Sequence, residues 1–282
     1  NMLLSEHLFA SGHPYSWPVI GSHEDLQAAT LDDVKEFFRT FYTPNNMSLC
    51  ISGDFDPVEA KRLVQKYYGA LPPGPGLDRP RAWATRLEQE RVIEVADRVP
   101  QERVYLAWPA PPIFDPDEPA LRMAARILSD GYSSRLPRAL VYDRPLCSGV
   151  SADFEGMEIA GAFLIEATAR PGVSLVEVER QIHEQLARLI QDGPTESELK
   201  RAKTKWEFSF ITGLERIGGF GGKADMLNRY NTYLGDPDGF RMDLERHRGV
   251  TRDAVRQALA RCIGPGRVVL RFRPDPAQRA DV

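Results

Sequence analysis

The chain has 282 residues, of which 42% are hydrophobic and 27% are charged, which is typical of a globular protein with a sizeable core. Its formal net charge of −4 gives no reason to expect nucleic acid as a partner, because phosphate binding requires a basic surface. No apolar run approaches the roughly 20 residues that span a bilayer. The three cysteines form no CxxC pair and do not suggest a disulfide framework.

The first quarter of the chain predicts two helices that flank a strand. The sequence opens with Asn1 inside a predicted helical element, so we expect a natural N-terminus further upstream. Thr30, followed by an acid in the next turn, predicts the N-cap of a helix. A strand is predicted at Met47–Ser52 and a further helix at Pro57–Tyr68. The apolar residues of the helix that follows Thr30 are Val34, Phe37, Phe38 and Phe41.

After a Pro- and Gly-rich segment that starts at Leu71, pairs of strands alternate with pairs of helices. This order predicts an α+β fold, with an antiparallel or mixed sheet and helices packed on one face. Capping boxes are predicted at Ser174–Glu177 and Thr195–Glu198. The predicted strands are Val92–Ala96, Arg103–Trp108, Gly149–Phe154, Ala160–Ala169 and Arg267–Phe272. The predicted helices are Asp117–Ser129, Ser133–Tyr142, one from Ser174 to about Asp192, one from Thr195 towards Arg216, Lys223–Tyr233 and Gly239–Arg246.

An internal repeat relates the beginning of the chain to its end. Thr30–Phe55 aligns without a gap on Thr251–Pro276, and both stretches predict a capped helix, a Pro-containing turn and a strand. The identical positions are Thr30/Thr251, Asp32/Asp253, Val34/Val255, Pro44/Pro265, Leu49/Leu270 and Asp54/Asp275. Duplicated units pack as similar halves. We therefore predict that residues 1–70 are the end of a first α+β half, 71–90 a linker, and 91–282 a complete second half.

The residues by themselves indicate a scaffold or binding role. A helical zinc site needs His at i and i+4, and no two of the five histidines have that spacing. His183 lies in a polar predicted helix and is interpreted as solvated. Gly218–Lys223 invites a nucleotide interpretation, but Ile217 and Ala224 break the Walker pattern, so a break between two helices is favoured. There is no GxSxG elbow, and no cysteine has an evident partner base.

Several motifs together resemble the pitrilysin/insulinase family of zinc metallopeptidases, in particular bacterial members similar to mitochondrial processing peptidase. The similarity covers nearly the whole chain and keeps the motif order. The motifs are Gly12–Tyr15, Val19–Ser22, Leu31–Val34, Tyr42–Asn46, Gly53–Pro57, Leu128–Gly131, Ser133–Leu136, Gly221–Asp225 and Tyr233–Pro237.

The resemblance implies a subunit of two homologous α+β halves, which pairs with another family subunit as a homodimer or heterodimer around a peptide substrate. It places the inverted HxxEH zinc motif and a third glutamate ligand in the first half, upstream of Asn1. No cofactor is therefore expected in this segment, while zinc is expected in the full-length protein. The segment alone is predicted to be inactive, and a periplasmic location is expected only by family analogy.

The sequence departs from the family at one pair of positions. Members that complete the cleft with their second half carry an arginine shortly after the SSRL segment and a tyrosine seven residues later. Here those positions are Val141 and Ser148. The remaining candidates for contact with substrate are Ser133, Ser134 and Arg135.

Three interpretations follow. The preferred one is the non-catalytic portion of an active metallopeptidase, which provides chamber wall, substrate docking and subunit contacts. The alternative is a catalytically inactive member that acts as a structural or assembly subunit. The third is an unrelated binding module with a coincidental repeat. An HxxEH motif upstream would separate the first two, and a fold without related α+β units would favour the third.

Overall fold

A computed structural model of the chain describes residues 2–80, 82–83 and 85–275. The chain divides into two compact units, which we call the sheet unit and the helical unit. The sheet unit contains the described residues of segments 1–18, 81–205 and 246–282, and the helical unit contains segments 19–80 and 206–245. No helix in these described ranges is long and apolar enough to cross a membrane.

The helices follow one another in the order that the sequence predicts, with one short helix added after the first. They are α1 (Met2–Leu8), α2 (His23–Ala28), α3 (Leu31–Phe41), α4 (Pro57–Tyr68), α5 (Glu118–Ser129), α6 (Arg135–Pro137), α7 (Leu175–Asp192), α8 (Glu196–Glu215), α9 (Lys223–Leu234), α10 (Phe240–Arg248) and α11 (Arg252–Cys262). A 3₁₀ turn covers Pro44–Asn46, and a π-helical turn, Arg138–Tyr142, follows α6 directly.

The sheet unit is built on one five-stranded mixed sheet in the order β1-β5-β2-β4-β3. β1 and β5 are parallel, and every other neighbouring pair is antiparallel. β3 has a hydrogen-bonded neighbour on one side only, so it forms an edge of the sheet. The strands are β1 (Arg91–Asp97), β2 (Arg103–Ala110), β3 (Cys147–Gly156), β4 (Gly161–Ala169) and β5 (Val268–Pro274).

The main core lies between this sheet and helices α5, α7 and α11, each of which contacts the sheet, and α11 also contacts α5 and α7. Trp108 of β2 is fully buried there, and its indole N–H donates to the carbonyl oxygen of Gly264 at 3.1 Å. Helix α1 contacts β2 and β5 in a second cluster, in which Leu4, Leu8 and Phe9 are buried with Leu270. The predicted α+β class is confirmed, and α1 is the helical element predicted at the start of the chain.

The helical unit contains α2, α3, α4, α9, the C-terminal part of α8 and residues 240–245 of α10. Asp56 caps α4 by accepting from the N–H groups of Val58 and Glu59. The Ser48 hydroxyl accepts from the side chain of Asn231 at 2.9 Å. In contrast with the sheet unit, α3 and α4 have no buried residue.

The structure corrects three local predictions. Met47–Ser52 forms no strand, because no described strand lies beside it to complete a ladder. At Ser174 the hydroxyl accepts from the N–H of Val176, while Glu177 pairs with Arg180, so the predicted capping box is absent there. The helix predicted at Ser133–Tyr142 begins at Arg135 and changes to the π-helical turn.

The predicted division into residues 1–70, 71–90 and 91–282 stays a prediction. The two compact units follow spatial contact, and each takes segments from more than one of those ranges. Asn1, Arg81, Ala84 and residues 276–282, which include the end of the predicted repeat, lie outside the described residues.

Candidate functional site

The segment between α5 and the first residues of β3 contains the three candidates for substrate contact and the two positions that depart from the family. We call residues 130–148 the connecting segment. It begins at Asp130, whose carboxylate pairs with Arg126 and with Lys205 at 2.6 Å and 2.7 Å. Burial opposes ionisation of Asp130, but the two cations prevail and its pKa is lowered. This end of the segment is therefore fixed to α5 and α8 by charge.

Arg135 is held in a two-pronged ion pair rather than pointing into solvent. Its Nε and a terminal nitrogen donate to the two carboxylate oxygens of Glu198, at 2.8 Å and 2.9 Å. It also donates to the carbonyl oxygen of Gly193, at the end of α7. Glu198 is in place because the capping box predicted at Thr195 forms, with the Thr195 N–H donating to the same carboxylate at 2.7 Å. Arg135 thus ties the connecting segment to the junction of α7 and α8.

The other two predicted contact residues differ in their exposure. Ser134 is fully buried, and its hydroxyl donates to the carbonyl oxygen of Gly131. Gly131 has φ +101°, a conformation that favours glycine. Ser133 is exposed. A role for Ser133, Ser134 and Arg135 in contact with substrate stays a prediction.

The two positions that depart from the family lie at irregular backbone. Val141 belongs to the π-helical turn, in which the N–H of Asp143 donates to the carbonyl oxygen of Arg138 at 2.8 Å. Ser148 lies at a shift of register, since Cys147 pairs with Ala169 and the next paired residue is Gly149. Its hydroxyl donates to the side-chain oxygen of Gln101 at 3.0 Å. Neither side chain carries a charge that could polarise a substrate.

The sequence analysis missed two tyrosines on this segment. Tyr132 and Tyr142 are 81% and 54% exposed, and their rings meet edge to face with centroids 5.7 Å apart. Neither phenol has a hydrogen-bond partner among the described residues. No periodic pattern marks them, because they are ten residues apart and come together only through the turn between them.

The histidines of the described residues do not form a metal site. His13 is fully buried among the rings of Phe9, Tyr15 and Trp83. Within residues 2–80, 82–83 and 85–275, no group of three or more His, Cys, Asp or Glu side chains is arranged to hold a metal ion. The described side chains therefore do not fit the zinc ion that the resemblance implies for the full-length protein.

The interpretation of His183 as solvated is wrong. Its ring lies edge-on to Trp108, with centroids 6.3 Å apart, and its Nε2 is buried. Burial, assisted by the charge of Arg267, lowers the pKa of His183. The helix that carries it is polar overall, but its position faces the sheet, and a single polar residue on an apolar face gave no signal of this.

The glycine-rich stretch forms the predicted break between two helices. It joins α8 to α9, and Gly219 and Gly221 have φ +78° and +71°. The N–H of Gly221 donates to the carboxylate of Asp225, the third residue of α9. A phosphate loop requires a strand before the glycines, and a helix stands there instead.

Comparison with known proteins gives a consistent family. Residues 28–205 match the family described as the peptidase M16 inactive domain. The zinc protease PqqE of Helicobacter pylori is 28% identical over 229 residues, which are 79% of this chain and 49% of that protein. An uncharacterized zinc protease of Mycobacterium leprae is 30% identical over 205 residues, which are 72% and 46% of the two chains.

The fold is also that of a solved protease. The crystal structure of a protease from Helicobacter pylori superposes with a TM-score of 0.84 at 22% identity, over 97% of this chain and 65% of that one. The chain spans about half the length of the curated relatives that it matches. These matches confirm the resemblance to the zinc metallopeptidase family and exclude the unrelated module with a coincidental repeat.

Proposed function

Because this chain belongs to the family of peptidase M16 inactive domains, we propose that it is the C-terminal, metal-free portion of a zinc-dependent peptidase. In this proposal residues 1–70 complete a zinc-binding half that lies mostly outside the chain, and residues 91–282 form the second half. The observation that carries the proposal is the contrast between the two copies of the internal repeat.

The two copies have the same local structure. α3 and α11 are each 11 residues long. Their N-caps, Thr30 and Thr251, have nearly equal dihedral angles, with φ −99° and −102° and ψ 164° and 166°. Each threonine hydroxyl accepts from the backbone N–H three residues later. The alignment made from sequence thus joins positions with equivalent backbone geometry.

The same positions differ sharply in burial. In α11, Val255, Ala258 and Leu259 are at most 1% exposed. The aligned residues of α3, which are Val34, Phe37 and Phe38, are 46%, 52% and 52% exposed. Fully burying one such side chain is worth about 1.5–3 kcal/mol, so covering the rest of each would contribute about 1 kcal/mol. An amphipathic helix that leaves this much apolar surface exposed provides one side of a core, and we propose that another part of the protein covers it.

The repeat also indicates what would cover it. Leu49 aligns with Leu270 of β5, which lies between a parallel neighbour, β1, and an antiparallel one, β2. The segment Met47–Ser52 has neither neighbour among the described residues. We therefore place two strands of the zinc-binding half beside it, one parallel and one antiparallel. They would turn Met47–Ser52 into a strand and cover α3.

In the assembled protein this chain would line a chamber for unfolded peptides, contact substrate and pair with another family subunit. The zinc ion would be held by the other half, since no side chains described here fit it. A periplasmic location is part of the proposal and is tested by cell fractionation. Because Val141 and Ser148 stand at the positions of the polarising pair, a partner subunit would supply that arginine and tyrosine in this proposal.

The test compares the full-length protein with the 282-residue chain. Zinc content and cleavage of a quenched fluorescent peptide are measured for both, with and without a chelator. We expect about one zinc per full-length chain and chelator-sensitive cleavage when the partner subunit is present, and neither from the 282-residue chain. Cleavage by that chain alone would refute the proposal.

A second candidate function is that of a catalytically inactive structural or assembly subunit. The observation that favours it is that Val141 and Ser148 replace the substrate-polarising pair. A full-length protein that holds no zinc and restores no cleavage to a partner subunit would establish this second function.

A further inference from the structure

The exposed aromatic pair on the connecting segment lies on a rigid support. On one side of Tyr142, Leu140 is fully buried, and Leu136 is fully buried one turn earlier. The Leu146 N–H donates to the carbonyl oxygen of Leu140 at 2.9 Å, so the end of the π-helical turn is also closed by a backbone hydrogen bond. π-Helical turns are rare and occur frequently at functional sites.

The other side of the pair is fixed equally well. Tyr132 lies between Asp130, which is paired with Arg126 and Lys205, and Ser134, which is buried. Arg135 and its ion pair with Glu198 clamp the next residues. Two large rings are therefore presented to solvent at low entropic cost, because their backbone is already ordered. Rigid, exposed tyrosines with free hydroxyl groups are typical of protein contact surfaces.

The surroundings indicate the chemistry of the ligand. The π-helical turn packs against β3, the edge strand, and no described strand lies beside the outer side of β3. The Ala152 carbonyl oxygen of β3 accepts from the Ser129 hydroxyl at 3.0 Å, and an extended ligand would pair with the other backbone groups of that side. Such an edge binds extended polypeptide through main-chain hydrogen bonds, while nearby pockets or rings contact the side chains. Arg138 and Asp143 form an exposed ion pair beside Tyr142. Because their charges offset each other, this surface favours neither a strongly acidic nor a strongly basic ligand.

We propose that Tyr132 and Tyr142 form a contact site for an apolar or aromatic side chain of an extended polypeptide that lies along the β3 edge. The site deepens the proposed function and rests on it for its biological meaning. The binding itself needs neither zinc nor hydrolysis. Arg135, which the sequence singles out for substrate contact, acts here as a positioning residue that holds the segment between the two tyrosines.

The test measures binding of a short, fluorescein-labelled, unstructured peptide that contains Leu and Phe to the full chain by fluorescence anisotropy. Replacing both rings, Tyr132→Ala with Tyr142→Ala, is expected to raise Kd about tenfold. The double phenylalanine variant keeps the rings and is expected to bind nearly as well as the unchanged chain. A peptide of equal length made of Gly, Ser and Glu should bind weakly to all three.

The matched control is Phe220→Ser, which removes a ring that is 96% exposed on the glycine-rich turn of the other unit. Equal losses in this control and in the alanine variant would indicate non-specific adhesion and overturn the site. Unchanged binding in the alanine variant, or no binding of the apolar peptide at all, would also overturn it. A photoreactive peptide gives a second measurement on the unchanged chain. Cross-links at Tyr132 and Tyr142 support the site, and cross-links confined to α3 refute it.

These outcomes are separate from the test of the proposed function. If the full-length protein binds zinc and cleaves peptide, and its peptide binding is unchanged when both tyrosine rings are removed, only the contact site is refuted. A chain whose tyrosines bind peptide in a protein without zinc would refute only the peptidase proposal.

Discussion

The ion pair between Arg135 and Glu198 gives a prediction whose size follows from the structure. The side chains are only 16% and 17% exposed, and the guanidinium meets both carboxylate oxygens. Burial alone would raise the pKa of Glu198, but hydrogen bonds from Arg135 and from the Thr195 N–H bring it from 4.5 to about 2. The carboxylate is thus far better stabilised in the folded chain than in the unfolded one.

The sign of the pH dependence follows from this lowered pKa. One pKa unit corresponds to about 1.4 kcal/mol, so ionised Glu198 contributes about 3 kcal/mol to the free energy of unfolding. That contribution is fully present above pH 4.5, the usual pKa, and is lost as the pH falls towards about 2. Glu198→Gln should therefore lower the free energy of unfolding by about 2–3 kcal/mol at neutral pH. Glutamine can still accept from the Thr195 N–H, so the capping box remains and only the charge is removed.

The assay is urea denaturation of both proteins between neutral pH and pH 3, with hydrogen exchange of the first turn of α8 as a local measurement. We expect the difference between the two proteins to shrink as the pH falls, because the unchanged protein loses what the variant already lacks. The matched control is Glu177→Gln, which breaks an equally short two-pronged pair with Arg180 on the exposed face of α7. We expect no measurable change there, since exposed pairs contribute little. A difference that stays constant over this pH range would refute the reasoning.

Three further predictions concern burial. Leu259→Ser in α11 should lower the free energy of unfolding by about 3 kcal/mol or more, because the side chain is fully buried. The aligned change Phe38→Ser in α3 should leave the free energy of unfolding nearly unchanged and reduce binding of a hydrophobic dye. Equal destabilisation by the two changes would contradict the exposure of this face of α3. Burial raises the pKa of Cys147 to about 11, so at pH 8 iodoacetamide should modify the partly exposed Cys50 first, as read by mass spectrometry. Burial lowers the pKa of His183, so an NMR titration should show a neutral imidazole below pH 6.5, the usual pKa. The unfolded chain binds this proton first, so the free energy of unfolding should fall as the pH drops below 6.5.

Most of the fold could be predicted because its signals are local. Asp56 and the proline after it mark the start of α4, which spans the predicted residues Pro57–Tyr68. The Thr195 capping box is likewise confirmed. The strand predicted at Met47–Ser52 failed for a non-local reason, since a strand exists only when another strand lies beside it. The alternating apolar residues of this segment show that it can form a strand, but they do not show whether a neighbouring strand is present.

The candidate site was less predictable, for a related reason. A motif that resembles a family signature drew attention to Arg135, but a motif does not tell whether an arginine faces solvent or a buried carboxylate. The carboxylate of Glu198 is 63 residues away in sequence. Tyr132 and Tyr142 could not be predicted as a pair, because exposure is a property of the folded surface and no sequence pattern marks the π-helical turn that brings the rings together.

The two copies of the repeat share local structure but differ in burial. The pattern that starts at Thr30 and the one that starts at Thr251 fold into the same N-capped helix, so the pattern alone determines this helix and its N-cap. Only the later copy buries its apolar face, because β1 and β2 flank its strand. In the proposed function, the exposed apolar face of α3 is the surface that polypeptide of the zinc-binding half would cover. On that proposal, the first copy gains stability from the two added strands, and activity requires the zinc-binding half.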